Sequence, residues 1–158
     1  MSKIKFQEVK RLVKMLRRQN VRAIMRVYLV IIVSYLLVKF GLRPMIVANG
    51  YPLIIEIFVL SYPNFCEGVV GPIFVTFVLL TIKGMLVKKK PSLVLKDNWL
   101  YLVAVLFSAF YVLLQEFKIH NLGGKNVYDP YDVLFSVLGL VTACYLLLKI
   151  EPQMEANE

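Results

Sequence analysis

Histidine is almost missing, at one residue in 158; cysteine occurs twice and tryptophan once, and the 10 acidic residues are outnumbered by 19 basic ones. With His120 alone, and with Cys66 and Cys144 standing apart, the chain offers no metal-ligand set, no Cys-His or Ser-His pair and no disulfide framework. HExxH and Gly-rich phosphate loops are missing too. No metal and no cofactor is expected. Only 18% of residues are charged, whereas 59% are apolar, against roughly 45–50% in ordinary soluble domains. A mean hydropathy of +0.69 accompanies a net charge of +9. A soluble domain of this length buries only about two-thirds of its unfolded surface, too little to hide so many Leu, Val, Ile and Phe side chains. Greasy and basic together indicate one small unit that spans a membrane several times.

Crossing about 30 Å of hydrocarbon takes about 20 apolar residues in a helix. Four runs qualify: about Val21 to Phe40, Phe65 to Leu86, Trp99 to Phe117 and Tyr131 to Ile150. The stretch from Met45 to Tyr62 is apolar but interrupted by Asn49, Gly50 and Pro52, with Glu56 in its middle. It reads as a re-entrant or interfacial segment, with a fifth span as the alternative. The expected fold is an all-α membrane protein: residues 1–20 a basic amphipathic helix, 21–150 a four-span bundle, and 151–158 a short acidic tail.

Charge gives the orientation, because Lys and Arg near span ends stay cytoplasmic. Nine cations from Lys3 to Arg26 precede or open the first span, five from Lys83 to Lys96 lie between spans two and three, and Lys149 closes the fourth, so 15 of 19 share one side. Lys39, Arg43, Lys118 and Lys125 take the other. This places both termini in the cytoplasm. No cleavable signal peptide is expected, because the basic stretch is long and no small-residue cleavage site follows the apolar run. In residues 3–20, Phe6, Val9, Leu12, Val13 and Leu16 recur at helical spacing. The opposite surface, with Lys10, Arg11, Lys14, Arg17 and Arg18, is suited to anionic inner-leaflet lipid, as are Lys88, Lys89 and Lys90. A plain topology signal explains the same charges. Nucleic acid is not indicated, since no stacking platform accompanies them.

The acids remaining after the cytoplasmic charges are removed gather at the outer end: Glu56, Glu67 at the outer start of span two, Glu116, Asp129 and Asp132, with Lys39, Arg43, Lys118 and Lys125 as counter-charges. Ionisable groups at the mouth of a bundle often mark a site. Each also has an ordinary reading. In Asp129-Pro130-Tyr131-Asp132, an N-cap, a Pro at the first helical position and a first-turn acid explain both aspartates. Glu116 opposes the dipole at its helix end and calls for a cationic partner. Gly68, Gly71, Gly139 and Ala143 supply small faces for close helix packing. Residues 121–126 read as a flexible outer turn.

Gln115-Glu116, a polar Gly-containing loop, Tyr128-Asp129-Pro130-Tyr131-Asp132 and Leu138-Gly139 together resemble the closing signature of the VanZ-like membrane proteins. Tyr62-Pro63-Asn64-Phe65 is similar to a Pro-Asn-Phe element of some members. The resemblance covers about Tyr62 to Leu148. The family's Arg before the last motif has only Lys125 as its nearest substitute. The resemblance implies a bacterial four-span protein of the cytoplasmic membrane, linked by name to glycopeptide resistance, with Asn64, Glu116, Asp129 and Asp132 at the matching positions. The expected activity is non-enzymatic: an outward polar mouth that binds a lipid head group, a cell-wall precursor or a partner protein. An accessory subunit of a larger complex, docking through the basic helix and Lys-rich loop, is the rival, and a homo-oligomer is compatible with both. An enzyme or a transporter ranks below these.

Overall fold

The computed structural model describes residues 19–89, 96–116 and 129–152. The expected basic helix with Lys10, Arg11, Lys14, Arg17 and Arg18, together with Lys90, Lys118, His120, Lys125 and the tail beyond residue 152, lies outside the described residues. The chain is all-helical there, without a strand: α1 (Gln19–Leu37), a π-helical turn (Val38–Leu42), α2 (Arg43–Asn49), α3 (Leu53–Lys89), α4 (Asp97–Glu116) and α5 (Pro130–Ile150). Three helical stretches, Asn20–Asn49, Leu53–Leu86 and Pro130–Ile150, are long and apolar enough to cross a membrane, and the apolar part of α4, Asp97–Val112, is shorter.

The stretch 45–62 forms no element of its own. Pro44, in the first turn of α2, brings no N–H, and its ring would strike the carbonyl four residues back. The ladder widens just ahead of it, where Arg43 N–H bonds to Val38 O, five residues back. The helix therefore runs on to Asn49 instead of stopping. Gly50 then adopts φ 61 and ψ 54, the left-handed conformation that glycine enters without a Cβ penalty. Pro52 O accepts from Ile55 N and Glu56 N to start α3.

α3 is 37 residues long and holds Pro63 and Pro72 in its interior. Sequence reading starts this span at Phe65, after Pro63; the helix instead begins at Leu53. Both prolines are buried against neighbouring helices, the setting in which membrane helices tolerate them.

α3 is the mast of the bundle, packed on α1, α4 and α5. Its direction matches that of α5, and the two touch backbone to backbone. A Cβ on Gly68 would lie 2.5 Å from Ser136 O and 3.2 Å from the Gly139 Cα. Reciprocally, a Cβ on Gly139 would strike Phe65 O and lie 3.0 Å from the Gly68 Cα. Only glycine allows this approach. Ile24, Val69, Ile73, Leu80, Tyr101, Ala143 and Leu147 form the core inward of it. At the end that carries Lys83, Lys96 and Lys149, Lys83 Nζ meets Asp97 Oδ1 at 2.7 Å. There the buried Tyr101 hydroxyl donates to Pro152 O at 2.9 Å, locking the end of α5 onto α4. Cys66 and Cys144 are free.

Gly68→Val and Gly139→Val should each destabilise the bundle by about 1–3 kcal/mol or more, the usual cost of overpacking. A Cβ on Gly41 meets nothing within 4 Å, so Gly41→Ala should leave stability unchanged or raised. Reversible unfolding in mixed micelles measures all three.

Candidate functional site

α1 passes antiparallel to α3, and the seam between them gathers a group of polar side chains. Ser34 and Tyr35 of α1 and Lys39 of the π-helical turn that follows it face the seam, and Tyr62, Cys66 and Glu67 meet them from α3. The Tyr62 hydroxyl donates to Ser34 Oγ at 2.9 Å, while Ser34 donates back to Ile31 O at 2.8 Å. The Tyr35 hydroxyl donates to Glu67 Oε1 at 3.3 Å. In turn it accepts from Lys39 Nζ, whose ammonium also sits 4.8 Å from the Tyr35 ring centroid. One phenol thus bridges a cation and a carboxylate, both half-buried. Each charge would be costly alone in an apolar setting; hydrogen bonding through Tyr35 offsets part of that cost.

The depth of Glu67 departs from expectation. It adjoins Gly68, which lies on Gly139 near the middle of α5 (Pro130–Ile150). Glu67 is therefore a mid-bundle carboxylate rather than a rim acid, because α3 begins about three turns ahead of Phe65. The other expected site residues are dispersed. Arg43 is exposed at the start of α2, Asn64 is half-buried on α3, and Asp129 and Asp132 are half-buried in the first turn of α5. Asp129 accepts from Tyr131 N at 2.9 Å, the expected N-cap. Among the described residues, no hydrogen bond or ion pair joins Glu67 to Arg43, Asn64, Asp129 or Asp132. Glu116 ends α4, and Lys88 and Lys89 end α3, with their side chains outside the described set. Among the described residues, no group of three or more His, Cys, Asp and Glu could hold a metal.

Sequence reasoning took Lys39 as a counter-charge and passed over Tyr35. The signal was present: Lys39 is the one charged residue between Arg26 and Arg43, and Tyr35 stands one turn before it, where i, i+4 side chains meet. The same Tyr–Lys pairing recurs on α5, where Lys149 Nζ donates to the Tyr145 hydroxyl at 3.0 Å.

No family model, no curated protein and no solved structure matches the chain.

Tyr35→Phe removes the bridge but keeps the ring. It should cost about 0.6–2 kcal/mol, the range for interhelical hydrogen bonds in membranes, when unfolding is followed in micelles. Native stability in this variant would mean that the hydroxyl joins nothing.

Proposed function

We propose that the chain is a non-enzymatic, four-crossing protein of the bacterial cytoplasmic membrane, with cytoplasmic termini, that holds the phosphate-bearing head group of a lipid or lipid-linked cell-wall precursor at the outer end of the α1–α3 seam. The observation that carries this reading is the Lys39–Tyr35–Glu67 chain set into an apolar seam. Arg43 lies one turn beyond Lys39 and is exposed, so two cations stand in line at the level where a head group meets hydrocarbon. Phosphate oxygens pair with Lys39 and Arg43, while Glu67, deeper in the bundle, holds Lys39 in place through Tyr35.

Length and charge support four crossings. The three long stretches satisfy the span requirement, and α4 is 20 residues long, about 30 Å at the helical rise. At the end of the bundle with Lys83 and Lys96, Lys149 on Tyr145 is placed as a snorkelling lysine at one interface. On this reading the hairpin at Gly50 is outward, and no part of 45–62 re-enters the membrane. The likeness to VanZ-like proteins, and with it any link to glycopeptide resistance, rests on the sequence motifs alone, and no step here depends on it.

A second reading, an accessory subunit, has one observation in its favour: α1 leaves Leu29, Val30, Val33 and Leu37 exposed, a strip that a partner helix could cover. Copurification of a stoichiometric partner in mild detergent would favour it.

Native mass spectrometry of the detergent-extracted protein tests the first reading. Phosphate-bearing lipid should remain bound to the native chain and fall at least tenfold in Lys39→Met/Arg43→Gln. Equal retention would contradict the head-group role.

A further inference from the structure

The apolar helices of the bundle differ in length. Asn20–Asn49 and Leu53–Leu86 hold 30 and 34 residues, whereas Pro130–Ile150 holds 21. At the helical rise these are about 45, 51 and 31 Å, against about 30 Å of bilayer hydrocarbon. The glycine contact shows where part of the excess lies. α3 starts at Leu53, fifteen residues ahead of Gly68, and α5 starts at Pro130, nine residues ahead of Gly139, so α3 reaches about 9 Å further out than α5. On α4, which runs the other way, Ser108 lies beside Gly71. The helix ends eight residues later at Glu116, about 15 Å short of Leu53. α2 and the first turns of α3 therefore form a helical hairpin that stands beyond the rest of the described bundle.

The hairpin is apolar around its whole circumference. Phe58 still rests on α5, its ring edge-on to Phe135 at 5.7 Å. Outward of it Leu53, Ile54 and Ile55 are all exposed, and three consecutive helical residues point in three directions. Met45 and Val47 are exposed on the other arm, and between Phe40 and Val59 only Ile46 and Val59 are buried. No charged residue occurs between Arg43 and Glu56. Exposed apolar surface of this extent marks a place that meets protein or membrane. Three features select membrane. A protein partner covers one face, whereas both arms here are open on several sides. The surface runs on from the apolar strip of α1, Leu29, Val33, Leu37 and Phe40. The tip then changes character: Asn49 donates to Met45 O at 2.8 Å, and the exposed Tyr51 is of the type that membrane helices place among head groups.

We propose that outer-leaflet lipid surrounds this hairpin, so that head groups meet the chain at Asn49 to Tyr51 on the hairpin flank and about 9 Å lower, at the start of α5, on the other. Apolar helices longer than the hydrocarbon are accommodated by a leaflet that rises around them, and the short α4 and α5 leave it low on their own side. The outer boundary of the membrane thus slopes across the bundle. The slope passes the α1–α3 seam. Ser34 meets Tyr62 and Tyr35 meets Glu67, which sets Lys39 at the depth of residues 57–63 of α3, where α4 ends and α5 begins. Head groups of the low flank lie at that depth. The inference rests on the four-crossing reading and stands whether or not the seam holds a head group.

Single spin labels at Ile54 and Tyr131, both exposed, test it on the full-length protein in bilayers with Cys66 and Cys144 replaced by alanine. Access to oxygen and to a polar relaxant reports their immersion. Ile54 lies fourteen residues ahead of Gly68 and Tyr131 eight ahead of Gly139, so a level leaflet puts the Ile54 label about 9 Å nearer to water. The proposal predicts that this shift vanishes: the Ile54 label lies at least as deep as the Tyr131 label, open to oxygen and closed to the relaxant. The full 9 Å shift would overturn it. So would an Ile54 label that neither reagent reaches, the mark of cover by residues 117–128 or by a partner protein. A third label at Val141, exposed on the inner half of α5, separates the two readings, since relaxant access there would refute the four crossings themselves.

Discussion

Two glycines hold the bundle in register. Gly68 and Gly139 bring the backbones of α3 and α5 together, with Phe65 O against Gly139 and Ser136 O against Gly68. In an apolar medium helices gain little from hiding oil from water, so close packing and weak Cα–H···O contacts supply much of the attraction. Once this pair is set, every depth along α3 follows from the helical rise. Glu67 falls at mid-bundle, and Lys83 reaches Asp97 at the basic end.

The same medium explains how the chain treats its exceptions. A backbone group without a partner is expensive in hydrocarbon, so proline and glycine are confined to places where neighbours or geometry absorb the loss. Pro44 is accommodated by one widened turn, Pro63 and Pro72 are buried within the central helix, and Gly50 turns the chain between two long helices. Polar side chains follow a parallel logic. Tyr35 joins two charges that would each be costly alone, and Tyr101 spends its hydroxyl on Pro152 O. Among the described residues, four buried hydroxyls without partners stand out against Ser34, Thr81 and Thr142, which bond to their own helices.

Much of the architecture was readable from residue order. The apolar runs and the Asp129 cap reflect local rules, and three of the four expected spans fall within long apolar helices. The start of α3 was not readable, because a proline flanked by apolar residues signals a break unless neighbouring helices cover it, and that cover is a tertiary fact. The error carried Glu67 to the rim. It also hid the seam, since Tyr35 gains meaning only when α3 is shifted inward to bring Glu67 opposite it. The buried hydroxyls lay beyond sequence as well: Ser108 and Thr142 look alike in an apolar run, and only packing separates the one that faces the interior from the one bonded to its own turn.

The register of α3 against α5 can be read by depth. Phe74 and Tyr145 are exposed at 57% and 58%, and each lies six residues past its glycine of the Gly68–Gly139 contact. Spin labels at these two positions, on protein in bilayers with Cys66 and Cys144 replaced by alanine, report immersion through their access to oxygen and to a polar relaxant. Equal depths are expected. A label at Phe74 lying about 7 Å nearer than one at Tyr145 to the membrane face where α3 and α5 begin, as a helix beginning at Phe65 would place it, would contradict the account.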